Sequence, residues 1–149
     1  MHPFEIKSAR LATHAQHVVL IHFPIALFLT SVIFDFVAHW TKNRVLAAVA
    51  YYHLLVAAIS CVPVLATGIL AWRWHLEGQR LKGVLLQHVI LALVSCTLIW
   101  LVSWLQLWNH RSPRRSLSSY RLSIEVVAAV AIALTNHLGG FLSGVNGPG

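Results

Sequence analysis

Four long apolar runs dominate the pattern of hydrophobic and polar positions along the chain. Short polar stretches separate these runs, which cover Val18–Trp40, Val45–Trp72, Val84–Trp108 and Leu122–Leu142. A helix needs roughly 20 apolar residues to cross the hydrocarbon core of a bilayer, and each run is long enough. The pattern therefore predicts an all-α integral membrane protein, with residues 1–149 forming one transmembrane domain, a four-helix up-down bundle.

Alternating spans place both termini and the loop between helices 2 and 3 on one side of the membrane, the terminal side. The other two loops lie on the opposite side, the loop side. Five cations lie on the terminal side and six on the loop side, namely Lys42, Arg44, Arg111, Arg114, Arg115 and Arg121. The positive-inside rule assigns the richer side to the cytoplasm. Both termini are therefore predicted to lie outside, in the periplasm of a bacterium with two membranes.

The composition agrees with a membrane protein and argues against several other classes of protein. The chain is 58% hydrophobic and 10% charged, with a formal net charge of +7. In a membrane chain this excess of cations indicates topology and contact with anionic lipids, and no basic cluster is long enough for a DNA-binding face. Cys61 and Cys96 stand apart, so they form neither a CxxC pair, a zinc site nor a CxxCH haem attachment. Motifs for independent hydrolytic or transfer catalysis are missing. The two helical pairs resemble at most a degenerate duplication.

Ten histidines need an explanation in so apolar a chain, because an ionisable group in hydrocarbon is costly unless it faces the bundle interior and has a partner. At a rise of about 1.5 Å per residue, His22 and His88 lie roughly 6 Å below the terminal-side face, and His137 roughly 7 to 8 Å. Three helices therefore present imidazole at one depth. His53 lies roughly 12 Å from the opposite face and is interpreted as a satisfied polar group or a subunit contact.

Imidazoles that converge from facing helices are typical ligands of a b-type haem, whose iron takes two axial nitrogens. Helices 1 and 3 stand diagonally in an up-down bundle, at a separation that suits a porphyrin, so His22 and His88 are the predicted axial pair. His137 would form a hydrogen bond with a haem propionate or with a ligand imidazole, or would replace His22 or His88 as an axial ligand. The predicted cations for the propionates lie just beyond this level: Arg73, Arg80 and Lys82.

His17 and Pro24 flank His22 in the stretch HVVLIHFPIALF. Because His17 lies about 500° around the helix from His22, the two do not share a face. His17 is expected at the membrane interface and His22 in the interior. Pro24 cannot donate to the carbonyl of Leu20 and is expected to kink the helix beside the ligand.

Two acidic residues lie inside the apolar runs. Asp35 is expected to form an ion pair with His39 or Arg44 near the loop-side face, with a proton-relay pair to His39 as the alternative. Glu125, near the start of helix 4, is expected to pair with Arg121.

The chain resembles a bacterial family of four-helix membrane domains, domain of unknown function 2231, over nearly its whole length. The resemblance lies in HVVLIHFPIALF, in ATG at 66–68, in LQHVILA around His88 and in LTNHLGGFLSGVNG. It implies a redox or respiratory setting, since such domains are often fused or adjacent to c-type cytochrome or Rieske-type segments. The matching positions are His17, His22, Pro24, His88, Gly139 and Gly140. His137 matches only some relatives, and Ala92 replaces a residue that is often polar.

These observations favour a subunit of the bacterial inner membrane that binds one haem b and carries electrons within a larger respiratory or photosynthetic complex. A c-type cytochrome or a Rieske-type iron–sulfur protein is the candidate partner. One alternative is a cofactor-free membrane anchor or assembly subunit of such a complex. A third hypothesis is a proton or metal-ion transporter that uses Asp35 and the histidines.

Overall fold

The computed structural model describes residues 6–74, 77–78, 80–111 and 119–142, with side chains from Gln16 onward except at 109–111 and 119–120. These residues form four helices: α1 Ile6–Thr41, α2 Arg44–Trp74, α3 Gly83–Arg111 and α4 Ser119–Leu142. Each helix contains a segment long and apolar enough to span a membrane. The prediction of an all-α bundle with four membrane spans is confirmed.

Helix α1 begins earlier than its apolar run predicts, at Ile6 rather than Val18. The added turns contain Lys, Ala and Arg, which favour helix even where hydropathy is low. Helix α1 therefore begins about three turns before the apolar run.

A short turn joins α1 to α2. Lys42 adopts a left-handed conformation with φ of 55°, which reverses the chain direction. The Asn43 side chain then accepts hydrogen bonds from the backbone N–H groups of Val45 and Leu46, at 2.9 and 3.3 Å. Asparagine is a favoured helix cap for this reason, so the start of α2 is fixed directly after the turn.

Each helix buries one stripe of residues that recur at alternating steps of three and four. The stripes comprise Pro24, Phe28, Ser31, Asp35 and Ala38 in α1; Ala50, Leu54, Ala57 and Cys61 in α2; Ser95, Ile99, Val102 and Gln106 in α3; Arg121, Glu125, Ala128 and Ile132 in α4. This spacing is typical of bundles whose helices cross at small angles. The apolar runs conceal it, because their lipid-facing residues are hydrophobic as well.

The bundle consists of two hairpins. Helix α1 packs along α2, and α3 packs along α4, while α1 touches α4 and α2 touches α3 between the hairpins. Helices α1 and α3 therefore stand diagonally. The core where all four helices meet includes Phe28, Leu54, Ile99 and Ile132.

Packing between the hairpins is concentrated in the loop-side half. In α3 and α4, every fully buried side chain lies at Ser95 or Ile132 or farther toward the loop side. Hydrogen bonds between the hairpins also occur there: the Trp100 indole donates to the Ala58 carbonyl at 2.8 Å, and Ser103 donates to the Leu54 carbonyl at 3.4 Å. Among the described residues of α3 and α4, the terminal-side half, which carries His88 and His137, is therefore the more exposed half.

Candidate functional site

His88 lies on the buried face of α3 and contacts α4. Its Nδ1 is 3.0 Å from the carbonyl oxygen of Thr135. Because a carbonyl only accepts, Nδ1 donates, and the neutral ring keeps its lone pair on Nε2. The ring rests on Gly139, where a Cβ would lie 3.2 Å from His88 Cε1. Gly139 therefore allows the imidazole to approach the backbone of α4 closely.

His17 makes equivalent contacts in the other hairpin. Its Nδ1 is 3.0 Å from Thr67 Oγ1, and this hydroxyl donates to the Pro63 carbonyl at 2.9 Å, so the hydroxyl accepts from His17. The ring rests on Gly68, where a Cβ would lie 3.1 Å from His17 Cε1. In each hairpin a histidine thus rests on a glycine of the second helix and donates to a threonine there. The two contacts differ in detail, because His17 bonds a hydroxyl one residue before its glycine and His88 bonds a backbone carbonyl four residues before its glycine.

These two contacts lie at one depth in the bundle. Cys61 of α2 contacts Cys96 of α3, and continuing this antiparallel pair by equal steps places Gly68 level with Val89, next to His88. Asp35 of α1 contacts Arg121 of α4, and the same continuation places His17 level with Gly139. We call these four residues, one from each helix, the His–Gly layer: His17, Gly68, His88 and Gly139.

His22 is oriented differently. Its side chain is exposed, and its Nδ1 donates to the Val18 carbonyl of its own helix at 2.6 Å. The prediction that His22 faces the interior is therefore wrong for this bundle, and the placement of His17 at the membrane interface stays a prediction. At about 100° per residue, His17 lies about 20° from buried Pro24 around α1, whereas His22 lies about 160° from it. The sequence also placed His22 at the level of His88, whereas the bundle places His17 there, about 7.5 Å farther along α1.

The remaining predicted residues lie on the terminal side. His137 is exposed, and its ring contacts Phe141 edge-on at a centroid distance of 5.0 Å. The cations Arg73, Arg80 and Lys82 are exposed near the ends of α2 and α3. They stay candidate partners for acidic groups at this end of the bundle.

His53 lies away from this end and stacks on Phe34, with ring centroids 5.6 Å apart. Its Nδ1 is buried, and no described residue forms a hydrogen bond with it. The prediction of a satisfied polar group is therefore wrong at Nδ1, and the subunit contact stays a prediction.

A second group of polar side chains meets in the loop-side half, and the sequence did not connect it. Asp35 Oδ2 accepts from Arg121 Nη2 at 2.6 Å and from Gln106 Nε2 at 2.8 Å. Arg121 Nε also lies 3.4 Å from Glu125 Oε1. All four side chains are buried. We call Asp35, Gln106, Arg121 and Glu125 the buried polar cluster.

The cluster corrects one predicted ion pair and confirms another. The prediction that Asp35 pairs with His39 or Arg44 is wrong, because Asp35 faces the bundle interior and Arg44 is exposed. The predicted pair of Glu125 with Arg121 is confirmed. The three-four spacing of the buried stripes is the signal that would have brought α1, α3 and α4 together here.

The comparison with protein families identifies the chain. The family described as "Predicted membrane protein (DUF2231)" matches residues 13–147. The chain belongs to this family. The resemblance found in the sequence is thereby confirmed, and the DUF2231 match spans both the His–Gly layer and the buried polar cluster. No significant match is found among the curated proteins or the solved structures.

In this DUF2231 protein the two groups suit different chemistry. The His–Gly layer presents two oriented imidazoles, a side chain that commonly binds metals in cofactors. The buried polar cluster holds charged groups inside the span, where such groups commonly mark proton or ion sites. The two groups lie in opposite halves of the bundle.

We expect Gly139→Ala to lack the stabilisation of about 1 kcal/mol that a helical Gly→Ala change commonly brings. The new Cβ would lie 3.2 Å from His88 Cε1, so the ring or the helix must shift. In a His88→Ala background the stabilisation should return. Unfolding of the detergent-solubilised variants by SDS titration measures both effects, and an equal effect of the glycine change in the two backgrounds would contradict the contact.

Proposed function

We propose that this DUF2231 protein binds one b-type haem on the terminal side of its bundle and carries electrons within a larger respiratory or photosynthetic complex. The observation that supports this most strongly is the shared orientation of the imidazoles in the His–Gly layer. His17 and His88 each donate Nδ1–H to a fixed acceptor on a neighbouring helix. Metal-bound histidines are commonly held this way, with the other ring nitrogen directed to the metal.

His88 is the α3 ligand in this proposal. The α1 ligand has two candidates. His22, predicted from depth and spacing, also carries its proton on Nδ1 but is exposed. His17 lies on the buried face at the level of His88, so the geometry favours it. His137 is the α4 alternative, and Arg73, Arg80 and Lys82 are the proposed propionate partners.

The bundle fits such a group in two respects. Helices α1 and α3 stand diagonally, and the terminal-side half contains no fully buried side chain of α3 or α4 among the described residues. When bound, haem supplies a reversible one-electron carrier whose potential depends on its ligands and on burial. The chain's own contribution would be to hold two imidazoles at one level within the membrane-spanning part of the bundle.

We further propose that the terminal side faces the periplasm of the bacterial inner membrane. A c-type cytochrome or a Rieske-type iron–sulfur protein is the proposed partner on that side.

The reduced-minus-oxidised absorption spectrum of the protein, purified in detergent from haem-replete cells, tests the proposal. We expect the Soret and α bands of a b-type haem. A colourless preparation would contradict the proposal.

A cofactor-free anchor or assembly subunit is the second candidate, and the same layer supports it. His17 and His88 already join the helices of each hairpin, and hydrogen bonds between membrane helices contribute about 0.6 kcal/mol on average. A colourless protein that loses stability on His88→Ala would favour this candidate.

A further inference from the structure

We propose that the buried polar cluster binds one exchangeable proton between Glu125 and Asp35, inside the loop-side half of the membrane span. The site is independent of haem binding, because it lies in the opposite half of the bundle. Its ligand is the proton itself, and its two binding groups come from α4 and α1.

The charges of the cluster require a further positive charge. The cluster contains two carboxyl groups and one guanidinium, while Gln106 is neutral. Asp35 and Glu125 are each 1% exposed and Arg121 is 8% exposed. With both carboxyls ionised, the cluster would hold one uncompensated negative charge away from water, which is strongly unfavourable. One bound proton makes the cluster neutral.

The hydrogen bonds locate this proton. Asp35 Oδ2 has two donors, yet Asp35 Oδ1 and both oxygens of Glu125 have no hydrogen-bond partner among the described residues. Glu125 and Asp35 nevertheless contact the same Arg121 guanidinium, at 3.4 and 2.6 Å. Two ionised carboxylates only accept, so they cannot bond to each other. A proton on Glu125 turns one of its unpartnered oxygens into a donor, and Asp35 Oδ1 is an unpartnered acceptor in the same cluster.

Arg121 does not replace that proton. Its Nη2 is engaged by Asp35 at 2.6 Å, and its Nε lies 3.4 Å from Glu125 Oε1 without a hydrogen bond. The guanidinium thus compensates the Asp35 carboxylate first. Two carboxyl groups that share one site commonly bind one proton between them, because two like charges so close together repel each other.

Each neighbouring helix contributes defined groups around the site. Helix α1 carries His39 one turn from Asp35, and its Nδ1 is buried without a hydrogen-bond partner among the described residues. Helix α2 carries His53, which stacks on Phe34, and α3 contributes Gln106. His39 lies between Asp35 and the loop-side end of α1, so it is the group placed to exchange the proton with water.

Infrared spectroscopy of the full chain in detergent or lipid tests the site. A protonated carboxyl gives a carbonyl band that is separate from the carboxylate and amide bands and shifts in deuterated water. Asp35 is the chain's single aspartate, and its three glutamates are Glu5, Glu77 and Glu125. In a Glu5→Gln, Glu77→Gln background, carbon-13 labelling of glutamate therefore reports Glu125 alone.

We expect a protonated-carboxyl band in the wild-type protein near neutral pH. In the Glu5→Gln, Glu77→Gln background this band should shift when glutamate is labelled with carbon-13. The band should be lost in Glu125→Gln and kept in Glu77→Gln, which removes an exposed acid and serves as the control. A band that responds to aspartate labelling instead would place the proton on Asp35 and overturn the assignment to Glu125. A protein without any acid band would overturn the site itself, and this result needs no variant that might fail to fold.

Discussion

Arg121→Gln is expected to lower the free energy of unfolding by about 3–5 kcal/mol, because it removes one partner of a buried ion pair and leaves a buried charge behind. Arg121 bonds Asp35 at 2.6 Å and contacts Glu125 at 3.4 Å, and its side chain is 9% exposed. The loss should therefore far exceed that of a surface pair, which is about 0–1 kcal/mol. SDS titration in mixed micelles measures the change.

Two further variants show whether charge compensation is the cause. Arg73→Gln removes an exposed arginine and should change stability little. Asp35→Asn combined with Arg121→Gln removes both charges of the pair and should recover much of the loss, as coupled neighbours do. If Arg121→Gln costs no more than Arg73→Gln, the buried polar cluster does not stabilise the bundle in the way described.

His88→Ala is expected to abolish nearly all haem binding, because it removes the ligand that α3 supplies in both versions of the site. His53→Ala is the matched control, since this ring stacks on Phe34 outside the His–Gly layer and its loss should leave the pigment in place. Absorption at the Soret band, per amount of purified protein, measures the effect. Retention of the pigment in His88→Ala would exclude the proposed site.

The corresponding α1 variants distinguish the two candidate ligands. If the buried face supplies the ligand, His17→Ala loses the pigment and His22→Ala keeps it. The reverse result would show that His22 turns toward the haem and that the sequence-based pair is right. If both variants keep the haem absorption, α1 does not supply an axial ligand.

Hydropathy alone predicted the helices, because an apolar run of about 20 residues or more between short polar stretches is typical of a membrane-spanning helix. Depth along each helix was accessible only approximately, since the rise per residue placed His22 at the level of His88, whereas the bundle places His17 there. The rotation of each helix was not accessible. His17 and His22 also differ in this rotation, and in an apolar run nothing marks which face is buried until Pro24, Phe28 and Ser31 are seen on one stripe.

The contacts between helices in the buried polar cluster could not be predicted from the sequence, for a related reason. Asp35 was matched to its neighbours in sequence, His39 and Arg44, whereas its partners Arg121 and Gln106 come from helices far along the chain. Glu125 and Arg121 were paired correctly because their i, i+4 spacing is local. Local spacing is visible in a sequence, and the contacts between hairpins depend on packing.

The haem content of the purified wild-type chain decides whether the His–Gly layer binds a cofactor. A pyridine haemochrome assay on protein from haem-replete cells identifies the haem type and gives the ratio of haem to chain. Two axial imidazoles from one bundle predict one b-type haem per chain. A preparation without haem would contradict the account of the His–Gly layer as a cofactor site.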